Sequence, residues 1–146
     1  MSKFSVTSNG RLLNKKTVVE FGIGEFPDGF AFDIEGGIWV TCVVSNKLIR
    51  ISSNGEREVI INDSDVSHVN YVEEAYQKSI LERKHLDNIV STKLRNISSI
   101  CFGGSDLKTV FLGCLLGDEI ATFKSGIAGL QPTHWDPIRL INKNFP

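Results

Sequence analysis

A carboxylate held between a proline and a glycine, Asp28 in Pro27-Asp28-Gly29, is one residue of this chain whose type could do chemistry. Its oxygens can take a proton from an attacking water or bind a hard divalent cation. Turns use the same three residue types, because aspartate bonds its own backbone while proline and glycine set the dihedrals. On residue types alone, Pro-Asp-Gly is therefore turn chemistry. Asp33 precedes Glu35-Gly36-Gly37 and reads as a hairpin residue rather than a ligand. His68, His85 and His134 stand at no spacing from a serine or cysteine that would build a nucleophile, and no Gly-x-Ser-x-Gly elbow occurs. A surface or capping role is expected for each. Cys42, Cys101 and Cys114 are odd in number, lack a Cys-x-x-Cys spacing and sit in apolar runs, so they read as reduced structural thiols of a cytoplasmic protein.

The elements that must position Asp28 are short and repetitive. Strand patterns occupy residues 30–33, 38–42, 47–51 and 57–61, separated by Glu35-Gly36-Gly37, Ser45-Asn46 and Ser53-Asn54-Gly55. Asn54-Gly55 predicts a two-residue hairpin with both central residues at positive φ. The pattern then recurs. Phe32 corresponds to Phe102 at an offset of 70, and Trp39-Val40-Thr41-Cys42 to Phe111-Leu112-Gly113-Cys114 at an offset of 72. Upstream, Phe4-Ser5-Val6-Thr7-Ser8-Asn9-Gly10 matches Ile49-Arg50-Ile51-Ser52-Ser53-Asn54-Gly55 at an offset of 45. A four-stranded meander repeating every ~40–50 residues is the mark of a propeller blade.

The fold class expected is all-β: a partial six-bladed β-propeller of about two and a half blades with one helical insertion. Residues 1–21 are expected to end one blade, 28–61 to form a complete blade and 96–125 an incomplete last one. Residues 126–146 read as an irregular tail, because Gly126, Gly129, Pro132 and Pro137 break any fourth strand. In residues 63–93, Val69, Val72, Tyr76, Ile80, Leu86 and Ile89 recur at three- and four-residue spacing and predict a helix, with Asp63, Ser64 and Asp65 as N-cap candidates. The order of connections puts this helix, expected between Val69 and Val90, on the same face of the propeller as Asp28, where it is expected to cap the site as a lid; the alternative is a helix on the outer rim that only protects a blade edge.

Residues 26–40, with Pro27-Asp28-Gly29 followed by Asp33-Ile34-Glu35-Gly36-Gly37-Ile38-Trp39-Val40, resemble a segment of the gluconolactonase and regucalcin (senescence marker protein) family. Residues 97–111, with Phe102-Gly103-Gly104 before a strand, resemble that family's next blade. The resemblance implies a C-terminal half of a six-bladed propeller that hydrolyses sugar-type lactones with one divalent cation, calcium, zinc, magnesium or manganese, on its axis. It implies that Asp28 is both metal ligand and catalytic base. The family also draws a Glu from near its N-terminus and an Asn from a middle blade, and no residue here matches them. The isolated chain is therefore expected to be inactive, and to function as a lactonase only with a complementing N-terminal half. The alternatives are a half-propeller binding or assembly module and an inactive remnant.

Bulk properties narrow the partners. A net charge of -1, with 16 basic residues scattered among 17 acidic ones, leaves no phosphate-tracking stripe, so nucleic acid is not expected. No apolar run approaches the ~20 residues needed to span a bilayer, and residues 1–10 show no secretory pattern. The partners expected are a small-molecule lactone and either self-association or the complementing half, since unpaired strand edges favour association.

Overall fold

The computed structural model describes residues 1–88 and 90–135, which form three antiparallel sheets in chain order. In the first, β1 (Ser2–Val6) pairs with β2 (Leu12–Thr17). The second is a meander of β3 (Pro27–Phe32), β4 (Ile38–Cys42), β5 (Lys47–Ile51) and β6 (Arg57–Asn62). The third contains β7 (Ile97–Gly103), β8 (Thr109–Cys114) and β9 (Ala121–Lys124). Within each sheet every strand pairs with its sequence neighbour, which is the local topology of propeller blades. The fold is a partial propeller.

The two central strands of the middle sheet are buried on both faces because alternate residues of β4 and β5 feed two different cores. Trp39 and Leu48 face the third sheet, where they meet Ile97, Ile100, Phe102, Val110 and Leu112. The Trp39 and Phe102 rings meet edge to face at 5.4 Å. Val40, Cys42, Ile49 and Ile51 face the other way and pack with Val18, Val19 and Phe21, which follow β2, and with Met1.

The 45-residue repeat is visible atom by atom in two turns. Ser52 N–H donates to Glu56 O (2.9 Å), Gly55 N–H to Ser52 O (2.9 Å) and Glu56 N–H to Ser52 Oγ (3.0 Å). Thr7 N–H donates in the same way to Arg11 O (3.0 Å), Gly10 N–H to Thr7 O (3.0 Å) and Arg11 N–H to Thr7 Oγ1 (2.9 Å). These loops correct the two-residue hairpin expected at Asn54-Gly55. Only the glycine of each pair has positive φ, at 91° for Gly55 and 80° for Gly10. The cause is the hydroxyl at the start of each turn, which captures the N–H four residues on and stabilises a three-residue loop.

The insertion holds two helices, α1 (Val66–Gln77) and α2 (Arg83–Leu86), rather than one reaching Val90. Asp65 caps α1 by accepting from His68 N–H at 2.7 Å. The helix stops because Ser79 takes φ 56°, and its N–H and that of Ile80 turn back to Tyr76 O and Ala75 O. This is a left-handed helix terminus without its usual glycine. His68 and His85 are buried on either side of Tyr71, with ring centroids 6.3 and 5.1 Å away, so neither is the surface residue expected. Burial depresses the His68 pKa against the pull of Asp65. His85 does act as a cap, since Glu82 N–H donates to its Nδ1 at 2.9 Å. The His134 side chain, Ile89 and residues 136–146 lie outside the described residues. Among those described, no helix is long and apolar enough to cross a membrane.

Candidate functional site

Asp28 lies within β3, the edge strand of the middle sheet, and not in a free turn. Pro27 opposes Cys42 and Phe30 opposes Val40, so Asp28 and Gly29 together oppose Thr41 in a β-bulge. Thr41, fully buried, holds the bulge from both sides. Its Oγ1 accepts from Gly29 N–H at 3.0 Å and donates to Gly29 O at 3.1 Å. Glycine is required beneath it, because a Cβ at Gly29 would stand 2.4 Å from Ser98 O and 2.8 Å from Ser99 Cα on the neighbouring β7. Bulges re-aim a side chain, and this one leaves the Asp28 carboxylate exposed at the start of the strand.

The third sheet carries the same device with the residue types exchanged. Ile97 opposes Cys114 and Ser99 opposes Gly113, with the irregularity between them. Ser98 and Ser99 thus occupy the places of Asp28 and Gly29, at the offset of 70. Here the hydroxyl is on the inner strand and the glycine on its partner, and a Cβ at Gly113 would fall 2.3 Å from Ser99 Oγ. Sequence reasoning missed both Thr41 and Ser98. Applying the Phe32-to-Phe102 offset to Asp28 points directly to Ser98.

The connections on this side of the sheets are tied together by side chains. Asn46, at φ 46°, accepts Ile97 N–H on Oδ1 (3.1 Å), and its carbonyl accepts Asp63 N–H (3.2 Å). The Asp63 carboxylate takes the N–H groups of Lys93 (2.8 Å) and Leu94 (2.7 Å), closing the ends of the insertion against each other. α1 docks on the segment that leads into β3. Gly24 N–H donates to Glu73 Oε2 (2.9 Å), and the Phe26 and Tyr76 rings meet edge to face at 5.3 Å. A cleft of about 480 Å³ runs between them, lined by Phe21, Glu25, Phe26, Pro27, Glu73 and Tyr76.

Among the described residues no hydrogen bond or ion pair engages the Asp28 carboxylate, whereas Glu25 and Asp33 are used in structure. Glu25 is paired with Arg57 (2.7 Å) and Lys47 (3.5 Å). Burial alone would raise its pKa, but the Gly22 N–H and these cations outweigh that and hold it low. Asp33, buried, accepts from Glu35 N–H (2.9 Å), Gly37 N–H (2.7 Å), Trp39 Nε1 (2.8 Å) and Arg50 Nε (2.7 Å), which uses both oxygens in structure. The Cys42 thiol is pushed up to about 12, by burial first and Glu25 second, and is inert at neutral pH. Among the described residues no group of three or more His, Cys, Asp or Glu side chains could hold a metal ion. Asp28 by itself does not make a cation site, since calcium and magnesium take about six or more oxygens.

The opposite end of β3 is closed by the segment after β9. Ile34 N–H donates to Ala128 O (3.0 Å), Leu130 N–H to Phe32 O (2.8 Å) and Gly129 N–H to Leu107 O (2.8 Å). Gly129 sits directly on the Phe102 ring, so this part of the expected irregular tail is an ordered strap across β3 and β7.

Residues 1–68, which include Asp28 and Thr41, match the family model described as SMP-30/Gluconolactonase/LRE-like region. No curated protein sequence matches the chain. Among solved structures, a luciferin-regenerating enzyme is similar with a TM-score of 0.56 and 16% sequence identity, over 88% of this chain and 39% of that one. The likeness is one of fold, and the chain spans about two fifths of the length of that structure.

Proposed function

We propose that this chain belongs to the SMP-30/gluconolactonase/LRE-like family, whose model residues 1–68 match, and that it is the C-terminal part of a lactone-hydrolysing propeller, with Asp28 as its contribution to the reacting centre. The observation that carries this reading is the bulge: an exposed carboxylate fixed at the head of an inner strand by Thr41 and Gly29. A carboxylate so placed can receive the proton of a water attacking a lactone carbonyl, at a position that a 1 Å shift would spoil. The substrate class is a sugar-type lactone. The cofactor is one divalent cation for which Asp28 supplies a single oxygen ligand, the other protein ligands coming from a complementing N-terminal half. α1 acts as a lid, because it is docked on the residues that lead to Asp28 and its Glu73 and Tyr76 line the adjoining cleft.

The test is to co-express this chain with the N-terminal half of a family propeller and to follow lactone hydrolysis with calcium, magnesium, manganese or zinc added. Turnover is expected in the complex, none in the chain alone, and none in the complex carrying Asp28→Ala. Unchanged activity in that variant, with its circular dichroism intact, would overturn the assignment.

A further inference from the structure

The turn after α1 sends the chain back along the helix. Ser79, at φ 56°, lets Ile80 N–H return to Ala75 O, and α2 then comes to lie against α1. α1 is therefore held on two sides. Val69, Glu73 and Tyr76, at i, i+4 and i+7, meet Gly24 and Phe26 of the segment that leads into β3. His68 and Tyr71 lie on a different stripe, and the Tyr71 ring has His68 at 6.3 Å on one side and His85 of α2 at 5.1 Å on the other. Both imidazoles are more than nine-tenths buried, at 7% and 4% exposure, and no hydrogen bond or ion pair among the described residues engages the His68 ring. His85 is fixed by Glu82 N–H, which donates to its Nδ1 at 2.9 Å, so the ring carries its proton on Nε2 while that bond lasts.

We propose that the His68–Tyr71–His85 stack is a proton-operated latch: with both imidazoles neutral α2 is held on α1, and their protonation frees α2 and loosens the hold of α1 on Gly24 and Phe26. Charging a buried imidazole removes solvation, and the His68 ring has no partner to offset the loss. Burial holds its pKa below the ordinary value of about 6.5, and Asp65 at the N-cap pulls only weakly the other way. For His85, protonation turns Nδ1 from acceptor to donor and breaks the bond from Glu82 N–H; the charged ring can turn instead to Glu82 O, 3.1 Å away. The face of Tyr71 attracts an imidazolium within about 6 Å, which His85 meets and His68 does not, so His68 is the point where charge opens the latch. The remaining charges around the stack do not compensate. Lys84 is close enough to Tyr71 to interact and opposes a second cation, while Glu82 is taken by Lys84 at 2.7 Å and Asp87 by Arg83 at 2.8 Å. With the folded value below the ordinary one, the latch is complete above about pH 6.5 and is lost as pH falls toward the depressed value, by at most about tenfold per pH unit for each imidazole. Its effect on the site rests on the lid role proposed for α1; the latch itself rests on the stack alone.

The test is amide hydrogen exchange of the whole chain at pH 7 and pH 5.5, corrected for the intrinsic pH dependence of exchange, with an NMR titration of the His68 ring. The amides of Ile80, His85 and Asp87 are expected to lose about fivefold or more of their protection at pH 5.5, with Gly24 following, while those of β4 and β5 keep theirs. His68 is expected to titrate below 6.5. In His68→Phe/His85→Asn, which keeps a buried ring at one position and an acceptor for Glu82 N–H at the other, protection at the two pH values should be equal. The latch is overturned if α2 is equally protected at both pH values in the native chain, if His68 titrates at or above 6.5, or if the pH dependence survives in the double variant. An unchanged Gly24 amide beside an opened α2 overturns the effect on the lid. Should the double variant fail to fold, seen as lost protection in β4 and β5, the native exchange and titration decide. None of these readouts involves lactone turnover, so the latch can stand while the Asp28 assignment falls, or the reverse.

Discussion

Thr41→Val separates the two things the Thr41 side chain does. The substitution keeps shape and burial but removes the oxygen that both receives Gly29 N–H and donates to Gly29 O. An unsatisfied buried group costs about 1–3 kcal/mol, and since the Gly29 peptide is only partly buried the low end applies to each of the two groups, giving roughly 2 kcal/mol. For a urea slope of about 1–3 kcal/mol/M, the unfolding midpoint should fall by about 0.7–2 M with the slope unchanged. Thr41→Ser keeps both hydrogen bonds and loses one methyl, which costs about 1 kcal/mol. The expected order is therefore native, then serine, then valine. If Thr41 served only as apolar filling, valine would match or exceed the native chain and serine would be the weakest. Urea melts followed by Trp39 fluorescence decide between the two orders, and a valine variant at or above the native midpoint refutes the clamp.

Asp33 gives a pH signature. Burial would raise its pKa, but hydrogen bonds from Arg50, Trp39 and Gly37 outweigh that and depress it, so its stabilisation is complete above the ordinary aspartate value of about 3.9 and is lost as pH falls through the depressed folded value. Asp33→Asn should lower stability at neutral pH by about 3 kcal/mol and flatten the acid limb of the stability curve; an unchanged acid limb would count against this network. Gly29→Ala should destabilise by about 1–3 kcal/mol, because its Cβ meets Ser98 O, whereas Gly126→Ala, with nothing within 4 Å, should cost well under that in the same melts. A thiol reagent should label exposed Cys101 first and leave Cys42 unmodified until global unfolding; early labelling of Cys42 would contradict its burial.

The bounds of β4 and β5 were legible because their alternation is strict, and each alternate set fills a separate core. The turn at Asn54-Gly55 was legible in place but not in type, since a hydroxyl two residues earlier set its geometry. The end of α1 was missed because a serine, not a glycine, adopts the left-handed conformation there. Asp28 could be picked out by motif. The bulge that holds it could not, because it depends on Ser98, seventy residues away, closing on Gly29. Burial of His68 and His85 around Tyr71 likewise depends on how two short helices meet, which periodicity does not encode.

The strap after β9 bears on the order in which the chain assembles. Each sheet is a meander of adjacent strands, so its contacts close short loops and can form early and independently. The bond from Ile34 to Ala128 joins positions 94 residues apart, and Gly129 settles on a Phe102 that must already be in place. Closing a loop of that length costs more entropy than any turn in the sheets, and the return is a few hydrogen bonds at one end of β3. The strap therefore closes only once the sheets it ties are in place, and its release would leave all three sheets intact while freeing the C-terminal end of β3 for local opening or proteolysis.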